Sequence, residues 1–300
     1  MSLMLLDSGS LWYRAYYGMP DTLLAPDGTP VNAIRGYLDM TARLITMYRP
    51  NRLVACLDGD WRPSWRVELF PDYKANRLEE NGDGEEEPDL LTPQIPILLD
   101  VLDAFGIPIV GADDYEADDV MATYAVKEPG PIRIVTGDRD LFQLVKPDPD
   151  VQVIYLARGI SNHDLVNQDW VAKKYDIPGD RYALFATFRG DASDGLPGVK
   201  GIGEKGAALI ARHYESAQAA IAGAHAGDEH LSPALRKKII EGTDYLTFAP
   251  KLVACATDVP LPKVDLKIPK HAKSMSDITK LKEQYGLGAS VDRLIGALNW

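Results

Sequence analysis

Residues 51–60, NRLVACLDGD, carry a short apolar run that stops at an aspartate, Asp58. A run of this length, bounded by turn residues, suits a strand buried on both faces. LMLLD at 3–7 has the same shape and ends at Asp7, and PIRIVTGDRD at 131–140 repeats it with Asp138 just beyond the run. GIPIV at 106–110 and DVQVIYL at 150–156 supply two further strands. Helical patterns lie between them, at about 33–48, 93–105 and 116–126. Strands alternating with helices predict an α/β fold built on a central, mostly parallel mixed sheet flanked by helices. Ligands gather at the carboxyl ends of the strands in such a sheet. One strand-end aspartate is most often a cap or a turn residue, whereas three at the same edge suggest a site.

ADDYEADDV, residues 112–120, adds Asp113, Asp114, Glu116, Asp118 and Asp119 with no lysine or arginine among them. A charge run is usually a solvated face, and a helix start explains one of these acids, not five. TGDRD contributes Asp138 and Asp140, and RGDASDG contributes Asp191 and Asp194. Nine candidates result: Asp7, Asp58, Glu116, Asp118, Asp119, Asp138, Asp140, Asp191 and Asp194. Gathered carboxylates take up protons unless a cation lies between them. An oxygen-only donor set without His or Cys suits Mg²⁺ or Mn²⁺ rather than zinc. Paired ions of this kind hydrolyse phosphodiesters, although a count of acids does not distinguish two ions from one.

Beyond about residue 160 the apolar strands stop and helical patterns take over, beginning with DLVNQDWVAKKY at 164–175. LPGVKGIGEKGAALIARH, residues 196–213, has the glycine–hydrophobic–glycine turn of a helix-hairpin-helix followed by an amphipathic helix. Glycines there let backbone N–H groups and a helix N-terminus approach a phosphate, with Lys200 and Lys205 adding charge. Residues 61–77, WRPSWRVELFPDYKANR, interleave Arg62, Arg66, Lys74 and Arg77 with aromatics, a pattern suited to single-stranded nucleic acid. A packed amphipathic helix accounts for some of those aromatics. The Pro- and Lys-rich tail at about 257–276 reads as extended and precedes one or two last helices.

The 300 residues carry 46% hydrophobic and 25% charged residues and a net charge of −12, an ordinary globular composition. The negative sum argues at first against nucleic acid. Seven of the acids fall in EENGDGEEEPD, residues 79–89, which reads as a mobile loop. With those and the nine candidate ligands set aside, the remainder turns positive. Cys56 and Cys255 lie far apart without metal-ligand spacing, which fits a reduced cytoplasm. The sequence holds neither a secretory signal nor an apolar run long enough for a membrane span.

Taken together, LLDSGSLWYRAY, LDG, FPDYKANR, YEADDV, TGDRDLFQLV and RGDASDGLPGVKGIGEKGA resemble the 5′-nuclease family. That family comprises flap endonucleases and the 5′→3′ exonuclease domain of bacterial DNA polymerase I. The resemblance spans about residues 3–250, with LDSGS where the family more often has VDGSS. It implies a PIN-like nuclease core over 1–160 with a helical arch at about 61–92. A helical DNA-binding subdomain would follow over 161–256, then an extension at 257–300 packing back on the core. It implies two divalent ions, or three. Asp7, Asp58, Glu116 and Asp118 would serve one group, and Asp119, Asp138, Asp140, Asp191 and Asp194 the second. Lys74 and Arg77 match arch residues that contact the scissile phosphate. Further DNA contacts are implied for Arg14, Arg66, Tyr73, Lys200, Gly201, Gly203 and Lys205. A monovalent cation such as K⁺ is implied on the carbonyls of Gly198, Val199, Gly201 and Ile202.

The activity implied is hydrolysis of DNA at 5′ flaps, gaps, nicks and RNA–DNA junctions, by a monomer acting in bacterial replication and repair in the cytoplasm, at the nucleoid. With no polymerase segment after Trp300, the chain resembles a stand-alone enzyme. Two rivals stand beside this reading: a DNA-binding scaffold that has lost hydrolysis, and a PIN-type ribonuclease. The full set of nine acids opposes the first, and the hairpin and DYKANR oppose the second.

Overall fold

Leu3 and Leu5 face one side of the central sheet while Met4 and Leu6 face the other, all four fully buried. Strand β1 (Leu3–Asp7) therefore needs apolar residues at consecutive positions, as a sheet covered on both faces demands. The neighbouring strand β2 (Arg52–Cys56) divides in the same way, with Val54 and Cys56 on one face and Leu53 and Ala55 on the other. This computed structural model describes residues 2–78, 88 and 90–299. Apart from Pro88, the acidic segment expected as a loop at 79–89 lies outside the described residues.

The remaining strands are β3 (Ile109–Val110), β4 (Ile132–Thr136), β5 (Lys146–Pro147), β6 (Asp150–Tyr155) and β7 (Asp164–Val166). Their order is β3-β2-β1-β4-β6-β5, with β7 also on β6. The first five in that order run parallel, and β5 and β7 pair antiparallel to β6. Register settles where the acids fall: Asp7 lies opposite Cys56 and Leu6 opposite Val135. Asp7, Asp58 and Asp138 thus emerge at one carboxyl edge.

Helices α1 (Ser8–Gly18), α2 (Asn32–Tyr48) and α4 (Gln94–Phe105) cover one face; α3 (Ser64–Leu69) and α5 (Ala117–Lys127) belong with the other. Phe142, Trp170 and Tyr182 interlock edge-to-face, with Phe142 5.5 Å from Trp170 and 5.3 Å from Tyr182 between ring centroids. The core of the strand-rich half therefore continues into the helical half, which comprises α6 (Gln168–Tyr175), α7 (Tyr182–Arg189), α8 (Glu204–His213), α9 (Ala217–Ala226), α10 (Pro233–Glu241) and α11 (Thr243–Val253). One expectation fails here. The segment 164–175 is not helical throughout, because Asp164–Val166 extends the sheet. Val166 is buried and Leu165 is 43% exposed, the alternation of an edge strand, and the Asn167 side chain then starts α6 by accepting from Trp170 N at 2.8 Å.

The chain from 257 onward returns along the sheet. Leu53 N–H donates to the Leu266 carbonyl at 2.8 Å and Ile268 N–H to the Asn51 carbonyl at 3.0 Å. Helices α12 (Met275–Gln284) and α13 (Gly288–Leu298) then pack on α4 and α2, and Arg293 grips Asp39 through two bonds of 2.8 and 2.7 Å. No helix among the described residues is long and apolar enough to cross a membrane.

Candidate active site

A cleft of about 610 Å³ opens at the carboxyl edge of the sheet, walled by Asp7, Asp58, Glu116, Asp118 and Asp138. Arg14, Lys74 and Arg77 line it as well. Local structure fixes each acid. Asp7 ends β1 and caps α1: one oxygen accepts from Ser10 N at 3.0 Å and the other from Thr136 Oγ1 at 2.6 Å. Asp58 accepts from Ala117 N, at the start of α5, at 2.7 Å. Asp138 accepts from Asp140 N at 2.8 Å, and its own N–H donates to Thr136 Oγ1 at 2.8 Å. Thr136, which the sequence reading passed over, ties two of these acids together; its signal was a hydroxyl residue closing an apolar strand directly before Gly-Asp.

The acids are short of positive charge. Burial, with Asp58 and Asp138 nearby, pushes Asp7 up to about 7. Burial also raises Asp118, reinforced by Asp138, Asp7 and Glu116, and it raises Asp58. Behind the cleft, burial and then Asp138, Asp194 and Asp191 raise Asp140, whose Oδ1 is buried without a hydrogen-bond partner. Asp194 is pushed up to about 6, chiefly by burial. Asp7, Asp58, Glu116, Asp118 and Asp138 line the cleft, and Asp140 and Asp194 feel the charge of Asp138. Among the described residues no three His, Cys, Asp or Glu side chains stand close enough to hold an ion as they are placed. The donor chemistry nonetheless fits hard divalent ions: oxygen-only, mutually repelling and largely desolvated.

The cationic side comes from DYKANR. Lys74 has φ +50°, and its N–H donates to the Asp194 carbonyl at 2.9 Å. Arg77 reaches Asp194 Oδ1 at 2.8 Å and the Ser193 carbonyl at 3.1 Å. Gly195 permits this docking, since a Cβ there would lie 2.6 Å from the Asp72 carbonyl oxygen. The Lys74 ammonium rests on Glu116 Oε1. Burial alone would lower its pKa, but Glu116 and then Asp194 hold it above the ordinary lysine range. Asp191 is engaged by Arg189 at 3.2 Å and by Ser193 N at 2.9 Å.

Three expectations need correction. Asp119, placed in the second metal group, is fully buried and turned into the core, where two 2.7 Å bonds join it to Arg66. It also accepts from Ala256 N at 2.7 Å, and with Glu116 it forms a capping box at the start of α5. Its lone pairs are spent on the fold. Arg66, expected against DNA, is 3% exposed, bonded to Asp119 and Glu116 and stacked 4.2 Å over Trp65. Tyr73, also expected against DNA, is buried and donates to Glu116 Oε2 at 2.9 Å. A buried carboxylate at the third position of α5 needs a counter-charge, and Arg66 supplies it.

The glycine turn lies between α7 and α8. Gly198 has φ +65°, and a Cβ there would sit 2.5 Å from the Arg189 carbonyl oxygen. Gly203 opens α8 with no side-chain cap, which leaves N–H groups free at its N-terminus. Lys200 and Lys205 are exposed beside it. Of the expected K⁺ carbonyls, Val199 O accepts from Ile202 N at 2.9 Å, which leaves it a lone pair, whereas Gly201 O already accepts from Lys238 Nζ at 2.7 Å. A K⁺ ion on Gly201 would meet an ammonium.

A family model described as 5′-3′ exonuclease, N-terminal resolvase-like domain, matches residues 2–176, and one described as 5′-3′ exonuclease, C-terminal SAM fold, matches 177–274. The chain is 48% identical to a Streptomyces coelicolor protein named 5′-3′ exonuclease, over 98% of this chain and 99% of that one. It is 36% identical to DNA polymerase I of Mycobacterium bovis over 79% of this chain and 26% of that one. A bacteriophage T5 D15 flap endonuclease, solved as a pseudo-enzyme-product complex with DNA and metal ions, shares the fold with a TM-score of 0.66 at 18% identity, over 100% of both chains. This chain belongs to the 5′-3′ exonuclease family.

Proposed function

We propose that this chain hydrolyses DNA phosphodiesters as a structure-specific 5′ nuclease, acting at 5′ flaps, nicks, gaps and RNA–DNA junctions in replication and repair. The carrying observation is the set of strand-end and helix-start acids Asp7, Asp58, Asp118 and Asp138 around one cleft whose cationic wall is Lys74 and Arg77. Asp7, Asp58 and Asp118 would hold one divalent ion, and Asp138, Asp140, Asp191 and Asp194 the other, Mg²⁺ or Mn²⁺, with Glu116 beside them. Bound ions would supply an acidified water and neutralise charge on the departing oxygen.

The protein's own groups do the rest. Thr136 and Ser10 fix the Asp7 carboxylate, and Ala117 N fixes Asp58, so their oxygens are aimed before substrate arrives. Lys74 and Arg77, anchored through Asp194, present positive charge to the scissile phosphate as its own negative charge builds. For that contact Lys74 leaves Glu116. Glu116 keeps Arg66 and Tyr73 as partners, so it is not stranded as a buried anion. The uncapped start of α8, with Lys200 and Lys205, holds duplex phosphates without reading sequence.

Matched DNA and RNA flap substrates assayed with Mn²⁺ test the reading. Cleavage of the DNA flap with little cleavage of the RNA flap is the expected result. Binding without cleavage would leave a scaffold, and preferential RNA cleavage a ribonuclease.

A further inference from the structure

The turn that was expected to take a K⁺ ion already carries a cation from its own chain. Lys238 Nζ donates to the Gly201 carbonyl at 2.7 Å, and a Cβ at Gly201 would lie 3.1 Å from Lys238 Cε. Gly201, with φ +77°, turns its exposed carbonyl out of any regular ladder, and Lys238 rather than another backbone group supplies a donor to it. The corner between α10 and α11 is shaped to supply one. Gly242 N–H donates to the Lys238 carbonyl at 2.9 Å, and a side chain at Gly242 would strike Val199, its Cβ only 2.7 Å from Val199 Cγ1. Leu235, three residues before Lys238 on the same helix, would lie 3.7 Å from a Cβ at Gly206 in α8. The turn is thus pinned on both sides of Gly201, by Val199 against Gly242 and by Gly206 against Leu235, and the ammonium sits at its apex.

An ammonium and a potassium ion carry the same charge, and each satisfies a carbonyl lone pair. A second cation on this oxygen would be repelled by the first within a few ångströms. A lysine stem held in one conformation loses side-chain entropy; a charge-assisted hydrogen bond offsets that loss. We propose that Lys238 is a positioning residue that takes the place of a monovalent ion at the hairpin, so that this chain grips duplex DNA without bound K⁺. By fixing the Gly201 peptide it holds the open N–H groups of α8 in the orientation a phosphate requires. The proposal rests on the reading of the hairpin as the duplex-binding module.

The experiment measures binding of a nicked duplex with a short 5′ flap, in Ca²⁺, at one ionic strength in either potassium chloride or tetramethylammonium chloride. The methyl groups of tetramethylammonium keep it off a carbonyl. Wild-type affinity should agree within about twofold between the salts, because general screening is matched. Lys238→Met should bind about tenfold more weakly in tetramethylammonium, the worth of one charge-assisted bond, and recover most of that loss in potassium. A wild type that itself loses about fivefold or more without potassium would overturn the proposal. So would a Lys238→Met variant equally weak in both salts, since Lys238 would then be only another phosphate contact. Lys205→Ala separates the underlying reading: if it leaves affinity unchanged in both salts, the hairpin is not the duplex site and the proposal falls with it.

Discussion

The cleft and the hairpin handle charge in opposite ways. In the cleft, charge is carried by side chains fixed at strand and helix ends, desolvated and crowded; Asp7 is pushed up to about 7, and behind the cleft Asp140 keeps a buried oxygen without a partner. In the hairpin, the positive groups Lys200 and Lys205 are exposed and the backbone does the shaping through glycines. Crowded charge is costly in the free protein and is relieved only by what the site binds. Solvated charge costs little and is screened by salt. A nuclease needs both: a site whose strain favours ions and a scissile phosphate, and a grip that lets go.

The largest effect that could break this contrast is in the cleft. Asp138→Asn should slow single-turnover cleavage on the order of 10⁴-fold while flap DNA still binds in Ca²⁺, because the carboxylate serves chemistry and not grip. EDTA should abolish cleavage in the wild type, reversibly on adding Mg²⁺ or Mn²⁺. Cleavage near the wild-type rate in Asp138→Asn would remove Asp138 from the ligand set.

Arg66 sharpens the contrast from the structural side. Its guanidinium neutralises Asp119, which is fully buried, and Glu116. Arg66→Met should therefore destabilise the fold by about 3–5 kcal/mol in urea unfolding, the usual consequence of stranding a buried charge. Unchanged stability with a loss of DNA affinity would return Arg66 to the DNA surface.

The sequence made the cleft legible and the supporting contacts illegible, for a physical reason. A strand-end aspartate is positioned by its own local element, so an apolar run ending in Asp is enough to place Asp7, Asp58 and Asp138 at one edge once the strands are parallel. The pairs Arg66–Asp119 and Lys238–Gly201 join residues 53 and 37 positions apart, and no local pattern marks either partner. Asp119 sits inside an acidic run of which Glu116 and Asp118 line the cleft; helical geometry turns it about 100° away from Asp118. The strand at Asp164–Val166 was masked for the same kind of reason: three residues carry too little alternation to outweigh the helix that follows.

The central claim, chemistry in the cleft and grip in the hairpin, is tested most directly by two variants on one substrate. A duplex with a short 5′ flap is titrated for binding in Ca²⁺ and then triggered with Mg²⁺ at saturating enzyme. Lys74→Ala should slow that single turnover by about 10²-fold or more with affinity nearly intact, because a contact made only in the transition state affects rate alone. Lys205→Ala should weaken binding a few-fold and flatten its salt dependence by roughly one phosphate contact, with a normal turnover rate. A Lys74→Ala enzyme that binds poorly yet cuts at the wild-type rate once saturated would contradict the account and make the DYKANR segment a clamp.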